Sequence, residues 1–184
     1  MKARALTWVL LALPAWASEP VESPWAFVPE VGAHFATRLS RADAGAFGGV
    51  SVGLGARVHE WRFGALGRFN GGGALRPWAF DAGAWVSHDL LTIKLSRALT
   101  VGFPLRLEGL VRFHDGRAPG GLVTGLLGVR VLGVQLGVGA GWEYAQPRHH
   151  GTFETRLSFD VMEVVHLFKA LRQGDGDRGT NQPP

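Results

Sequence analysis

From Trp25 onward, apolar residues recur with the two-residue period of a β-strand, and the pattern returns in eight segments. In the first, Phe27, Pro29, Val31, Ala33, Phe35, Thr37 and Leu39 share one face, with Glu30, His34 and Arg38 on the other. The second sets Val50, Val52, Leu54, Ala56 and Val58 against glycines, Ser51 and Arg57. The third sets Trp61, Phe63, Ala65, Gly67 and Phe69 against Arg62, Gly64, Leu66 and Arg68, and the fourth sets Trp78, Phe80, Ala82, Ala84 and Val86 against Ala79, Asp81, Gly83 and Trp85. The fifth carries Leu99, Val101, Phe103, Leu105, Leu107, Gly109, Val111 and Phe113 opposite Arg106, Glu108 and Arg112. The sixth has Val123, Gly125, Leu127, Val129 and Val131 opposite Thr124, Leu126, Gly128 and Arg130. The seventh has Val134, Leu136, Val138, Ala140, Trp142 and Tyr144 opposite Gln135, glycines and Glu143. The eighth has Phe153, Thr155, Leu157, Phe159 and Val161 opposite Glu154, Arg156, Ser158 and Asp160.

The apolar faces hold no charged residue, whereas the other faces hold Arg38, Arg57, Arg62, Arg68, Arg106, Arg112, Arg130 and Arg156 with Glu30, Asp81, Glu108, Glu143, Glu154 and Asp160. Alternation does not say which face is inside. A soluble barrel or sandwich buries the apolar face, and an outer-membrane barrel turns it to lipid and encloses the polar one. Three features favour the second arrangement. Aromatic residues fall near strand ends, as in two interfacial girdles: Phe35, Phe69, Trp78, Phe80, Phe113, Trp142, Tyr144 and Phe153 toward one set of loops, Phe27, Trp61 and Phe63 toward the other. The charged faces pair Arg with carboxylates and carry no Lys before Lys94, which suits enclosed bidentate ion pairs more than a watery surface. The connections alternate between polar, glycine-rich loops (residues 40–46, 70–76, 115–120 and 145–151) and tight turns at His59-Glu60 and Leu132-Gly133.

On these segments the chain resembles the small, eight-stranded bacterial outer-membrane β-barrels over residues 25–168. The expected fold is all-β: an up-and-down antiparallel transmembrane barrel of eight strands. The resemblance implies a Gram-negative outer membrane, contact with its lipid and lipopolysaccharide, barrel-assembly machinery during biogenesis, and a monomer. Two stretches depart from the pattern. Residues 88–98 are too long for a tight turn, and Leu91, Ile93 and Leu95 alternate in the opposite phase, as either an extension of the fourth strand past a bulge or an additional hairpin. Phe168 is followed by a polar segment, residues 169–184, expected to be a disordered periplasmic tail, where the family usually ends on an aromatic residue. Val161, Val164, Val165, Phe168 and Leu171 also fit helical spacing, so residues 161–171 read either as strand or as a short interfacial helix.

The N-terminus changes the charge picture. Met1-Lys2-Ala3-Arg4, an apolar run from Ala5 to Pro14 and Ala15-Trp16-Ala17 read as a signal peptide cleaved after Ala17, with residues 18–24 a short periplasmic lead. Removing Lys2 and Arg4 lowers the formal charge from +4 to +2, and no clustered basic face follows, so nucleic acid is not an expected partner. Charged residues make up 18% of the chain against about 25% in ordinary soluble domains. The 27 glycines fit a lumen that must accommodate long Arg side chains and Trp85. The absence of cysteine excludes a disulfide scaffold, a thiolate metal cluster and a cysteine nucleophile.

Candidate chemistry is sparse. Ser87-His88-Asp89 is not a triad, because adjacent strand residues point to opposite faces. His114-Asp115 and His149-His150 lie in loops on one side, where a divalent metal is the less common alternative to solvated histidines. No His-x-Ser pair of the kind used by lipid A acylases or deacylases occurs. The expectation is therefore a non-enzymatic envelope or surface-interaction barrel, without cofactor or metal, whose lumen is filled by an Arg-carboxylate network. A narrow anion-preferring pore and a soluble periplasmic lipid-binding barrel are the alternatives.

Overall fold

A computed structural model describes residues 25–39, 45–72, 75–95, 99–114, 119–145 and 148–176. The proposed signal peptide, the lead at 18–24 and residues 177–184 lie outside the described residues. Eight strands follow one another: β1 Trp25–Arg38, β2 Ala46–Val58, β3 Trp61–Gly72, β4 Leu75–Lys94, β5 Thr100–His114, β6 Gly120–Val131, β7 Val134–Ala145 and β8 Arg148–Asp160. Each pairs antiparallel with its neighbours in sequence, and β1 pairs with β8 from Glu30↔Asp160 to Arg38↔Thr152, closing an up-and-down barrel. Among the described residues one helix, α1 (Val161–Gly176), follows β8.

Two ends result. One, the turn end, carries the two-residue turns His59-Glu60 and Leu132-Gly133, the connection 95–99 and α1. The other, the loop end, carries the connections 39–45, 73–74, 115–119 and 146–147. Two of these are shorter than the polar, glycine-rich composition suggests: ladder pairing runs on through Gly72↔Leu75 and through Ala145↔Arg148, so residues read as loop are strand. At Leu132 and Gly133 φ is 51° and 80°, the left-handed pair that a tight hairpin turn needs. Gly133 serves twice, because a Cβ there would also sit 2.8 Å from Glu163 Cβ and 3.1 Å from the Asp160 carbonyl oxygen.

The long segment 88–98 is resolved in favour of strand extension. β4 shifts register between Asp89 and Leu91, and the extra residue Leu90 restores the phase, so that Leu91, Ile93 and Leu95 are again exposed. The last strand ends at Asp160. Asp160 Oδ1 accepts from the backbone N–H groups of Met162 (3.1 Å) and Glu163 (3.2 Å), capping α1, and Glu163 in the first turn complements the helix dipole. The helical alternative thus holds for residues 161–171. Two expectations are corrected: the barrel strands stop at Asp160 and not at Phe168, and the segment from Lys169 to Gly176 is helix and not structureless tail.

Sidedness follows the inverted arrangement. Val50, Val123 and Leu136 are 60%, 62% and 58% exposed on the outside, while Arg68, Asp81 and Arg112 are 0% exposed inside. All the expected girdle residues are exposed on the outer surface, where Phe69 stacks on Trp78 and Phe80 on Phe113 near the loop end, and Trp25 meets Phe63 edge-on near the turn end. The interior has two small apolar clusters, one of Val28, Leu66, Trp85, Leu110 and Leu122 and one of Ala36, Phe47 and Ala79, with Leu126 also buried; most of the other buried side chains are polar or charged.

Candidate functional site: the lumenal ion-pair network

Charged side chains on seven of the eight strands converge in the lumen because each lies on the inward face of its strand, and the barrel leaves them little but one another to contact. At mid-height, Glu108 is the hub. It accepts from Arg106 Nε (2.5 Å) and Arg156 (2.5 Å), and also pairs with Arg68. Glu30 accepts from Arg106 (2.6 Å) and Arg156 (2.7 Å), and Glu154 Oε2 from Arg68 (3.1 Å). These three Arg and three Glu close one neutral group. The Arg106 guanidinium lies 4.2 Å from the Trp85 ring centroid, a cation–π contact within the lumen. Gly55 makes room for that ring, since a Cβ there would come within 2.8 Å of Trp85 Cζ2.

Toward the loop end, Arg112 grips Asp81 through both Nε and NH2 (2.7 Å each) and donates to Glu143 at 2.9 Å, while Arg38 reaches Glu143 at 2.7 Å. At the turn end, Arg62 spans Asp160 (3.0 Å) and Glu163 (2.6 Å), Arg57 adds a 3.1 Å bond to Glu163, and Arg130 pairs with Asp89. Every charged residue expected in the lumen is therefore in an ion pair. Arg57 sits at the rim and not within the lumen, its side chain 42% exposed, because it lies one residue from the end of β2.

Two partners were not expected: Asp89, just before the bulge, and Glu163, on α1. With them the network holds eight guanidinium groups and eight carboxylates, and each of its four groups is separately neutral. A lining with net positive charge, on which the anion-pore alternative relied, is absent from this set of pairs. Arg62 and Arg57 also fasten α1 to the barrel mouth. Burial alone would raise the Glu163 pKa, but the Arg62 guanidinium and its hydrogen bond outweigh it, so the carboxyl titrates below its ordinary 4.5. The latch is then fully present above that ordinary value and is lost as pH falls through the lower folded value. Amide exchange of the first turn of α1 should accelerate only in that acid range, and Glu163→Gln should show the fast exchange already at neutral pH.

The remaining candidates do not assemble. Ser87 is buried, while His88 packs its ring 4.5 Å from Trp61. His149 lies against Tyr144 (4.8 Å) and Trp142 (6.5 Å), and among the described residues no three His, Asp or Glu side chains are grouped to hold a metal. Asp115 and the side chain of His114 are outside the described residues. At the turn end, between α1, the two tight turns and the β4–β5 hairpin, an open cavity of ≈ 950 Å³ remains, with Arg57, Lys94, Arg130 and Glu163 in its walls.

No family model matches the chain, and no curated protein matches it. Among solved structures, it is similar to the crystal structure of Neisserial surface protein A, at 15% identity and a TM-score of 0.46, covering 74% of this chain and 98% of that one.

Proposed function

We propose that the protein is a monomeric integral β-barrel of a bacterial outer membrane, with a structural or surface-interaction role in the envelope and a lumen that does not conduct. The observation that carries this is the inversion of faces: large apolar side chains cover the outside of all eight strands, and sixteen charges are paired inside or at the rim. Such a surface is matched to about 25 Å of hydrocarbon, where barrel closure also satisfies the backbone. A soluble barrel holding a lipid in an apolar interior is opposed by the same charges. A pore is opposed by Trp85, Leu66, Leu110 and Leu122 filling the space around the central ion pairs. In this reading the girdle aromatics sit at the two headgroup layers, and lipid, lipopolysaccharide and the assembly machinery are the partners.

Planar-bilayer recording is the test of the closed lumen. The purified barrel should insert without unitary current steps above background at 1 M salt. Reproducible anion-selective steps would reinstate the pore.

A further inference from the structure

The ladder that closes the barrel is its shortest. Among the described residues β1 and β8 share nine rungs, from Glu30↔Asp160 to Arg38↔Thr152, fewer than any other neighbouring pair of strands. Toward the turn end β1 runs on past the last of these rungs, and Trp25 to Pro29 pair with β2 alone. An open strand edge is normally covered, and a helix is one of the usual covers. Here α1 packs against β1 and β8 together.

The attachments of α1 reach further round the wall. The helix is the covalent continuation of β8, yet Glu163 is held by Arg57 of β2 (3.1 Å) and Arg62 of β3 (2.6 Å), and Arg62 also holds Asp160 at the end of β8 (3.0 Å). These bonds bypass β1 and tie the β8 side of the seam to the strands beyond it. The base of the helix is fixed as well, because the Asp160 N–H donates to the Gly133 carbonyl at 2.7 Å and the missing Cβ of Gly133 leaves room for Glu163 and Val164. Elsewhere along the seam, Arg156 and Glu30 pair directly across its middle, and near the loop end Arg38 of β1 reaches past β8 to Glu143 of β7. At the turn end, Asp160 and α1 supply the corresponding tie. We infer that α1 is a clasp for the β1–β8 seam: latched, it holds the first and last strands together at the turn end, and released, it lets the seam part there while the other ladders stay closed. The clasp acts between strands, so it is separate from the question of what surrounds the barrel.

Amide exchange of the full chain refolded in detergent reads the seam strand by strand. Glu163→Ala should accelerate exchange at the turn-end rungs, Val31 to Ala33 and Leu157 to Phe159, by about ten-fold, with Ala82 to Ala84 on β4 unchanged. A cysteine pair then identifies the opening, because the chain has no cysteine of its own. Ala33→Cys with Leu157→Cys joins register partners on the outer face, and once oxidised it should cancel the effect of Glu163→Ala. Unchanged exchange at the seam in Glu163→Ala, acceleration spread equally over β4, or acceleration that persists with the disulfide closed would each overturn the clasp. If Glu163→Ala does not refold, Arg57→Gln at the rim removes one of the two bonds to Glu163 and should give the same seam-selective pattern at smaller size, and its absence would count equally against the clasp.

Discussion

Glu108→Ala is expected to cost about 3–5 kcal/mol of unfolding free energy, as breaking a buried ion pair by removing one partner generally does. Glu108 is fully buried and accepts from three guanidinium groups on three other positions of the barrel, Arg68, Arg106 and Arg156. Without it those three cations keep only Glu30 and Glu154, and one positive charge is left uncompensated in an enclosed space where water cannot fully replace the carboxylate. Guanidinium titration of the refolded protein in lipid vesicles, followed by the fluorescence of its tryptophans, measures the loss. The cost arises from imbalance and not from the absence of a contact, so Arg68→Met combined with Glu108→Met should be less damaging than the sum of the two single changes. Additive losses would mean that water already screens these groups from one another.

Leu105→Lys tests the opposite face. Leu105 is 40% exposed on the outer surface between Phe103 and Leu107, and a lysine there would be set in hydrocarbon, at an expected cost of about 2–4 kcal/mol near the bilayer midplane. Leu107→Lys, closer to the middle of β5, should cost at least as much. On a water-facing strand the same changes would stay within about 0.5 kcal/mol. The same vesicle titration reads both, and a loss below 0.5 kcal/mol at both positions would place this face in water.

The barrel was legible because a two-residue period is a local property: each strand shows its own two faces without knowledge of its partners, and eight strands in sequence with short connections leave few topologies. The charged residues were legible as a set for the same reason. Their pairing was not, since Arg156 and Glu30 lie at opposite ends of the chain and meet only because β1 and β8 close the sheet. Asp89 escaped notice because the bulge at Leu90 breaks the phase directly after it, which hides the side chain's inward direction. Glu163 escaped because it belongs to a helix, where the strand period carries no information, although Asp160 as a capping residue ahead of a helical apolar pattern was a usable signal. The length of α1 was misjudged because Lys169 to Gly176 is polar, and polarity alone does not distinguish a solvated helix from a tail. Residues 70–76 and 145–151 look like wide loops in the sequence, yet glycine and polar residues that usually mark turns here continue the ladder.

The central claim is that the apolar face of a closed barrel meets lipid. Fractionation of expressing cells, with boiled and unboiled samples run side by side on a denaturing gel, tests it most directly. A barrel whose apolar face meets lipid is recovered in the outer-membrane fraction, is extracted only with detergent, and gives a folded band whose mobility shifts on boiling. Recovery in the soluble periplasmic fraction with no shift on heating would contradict it.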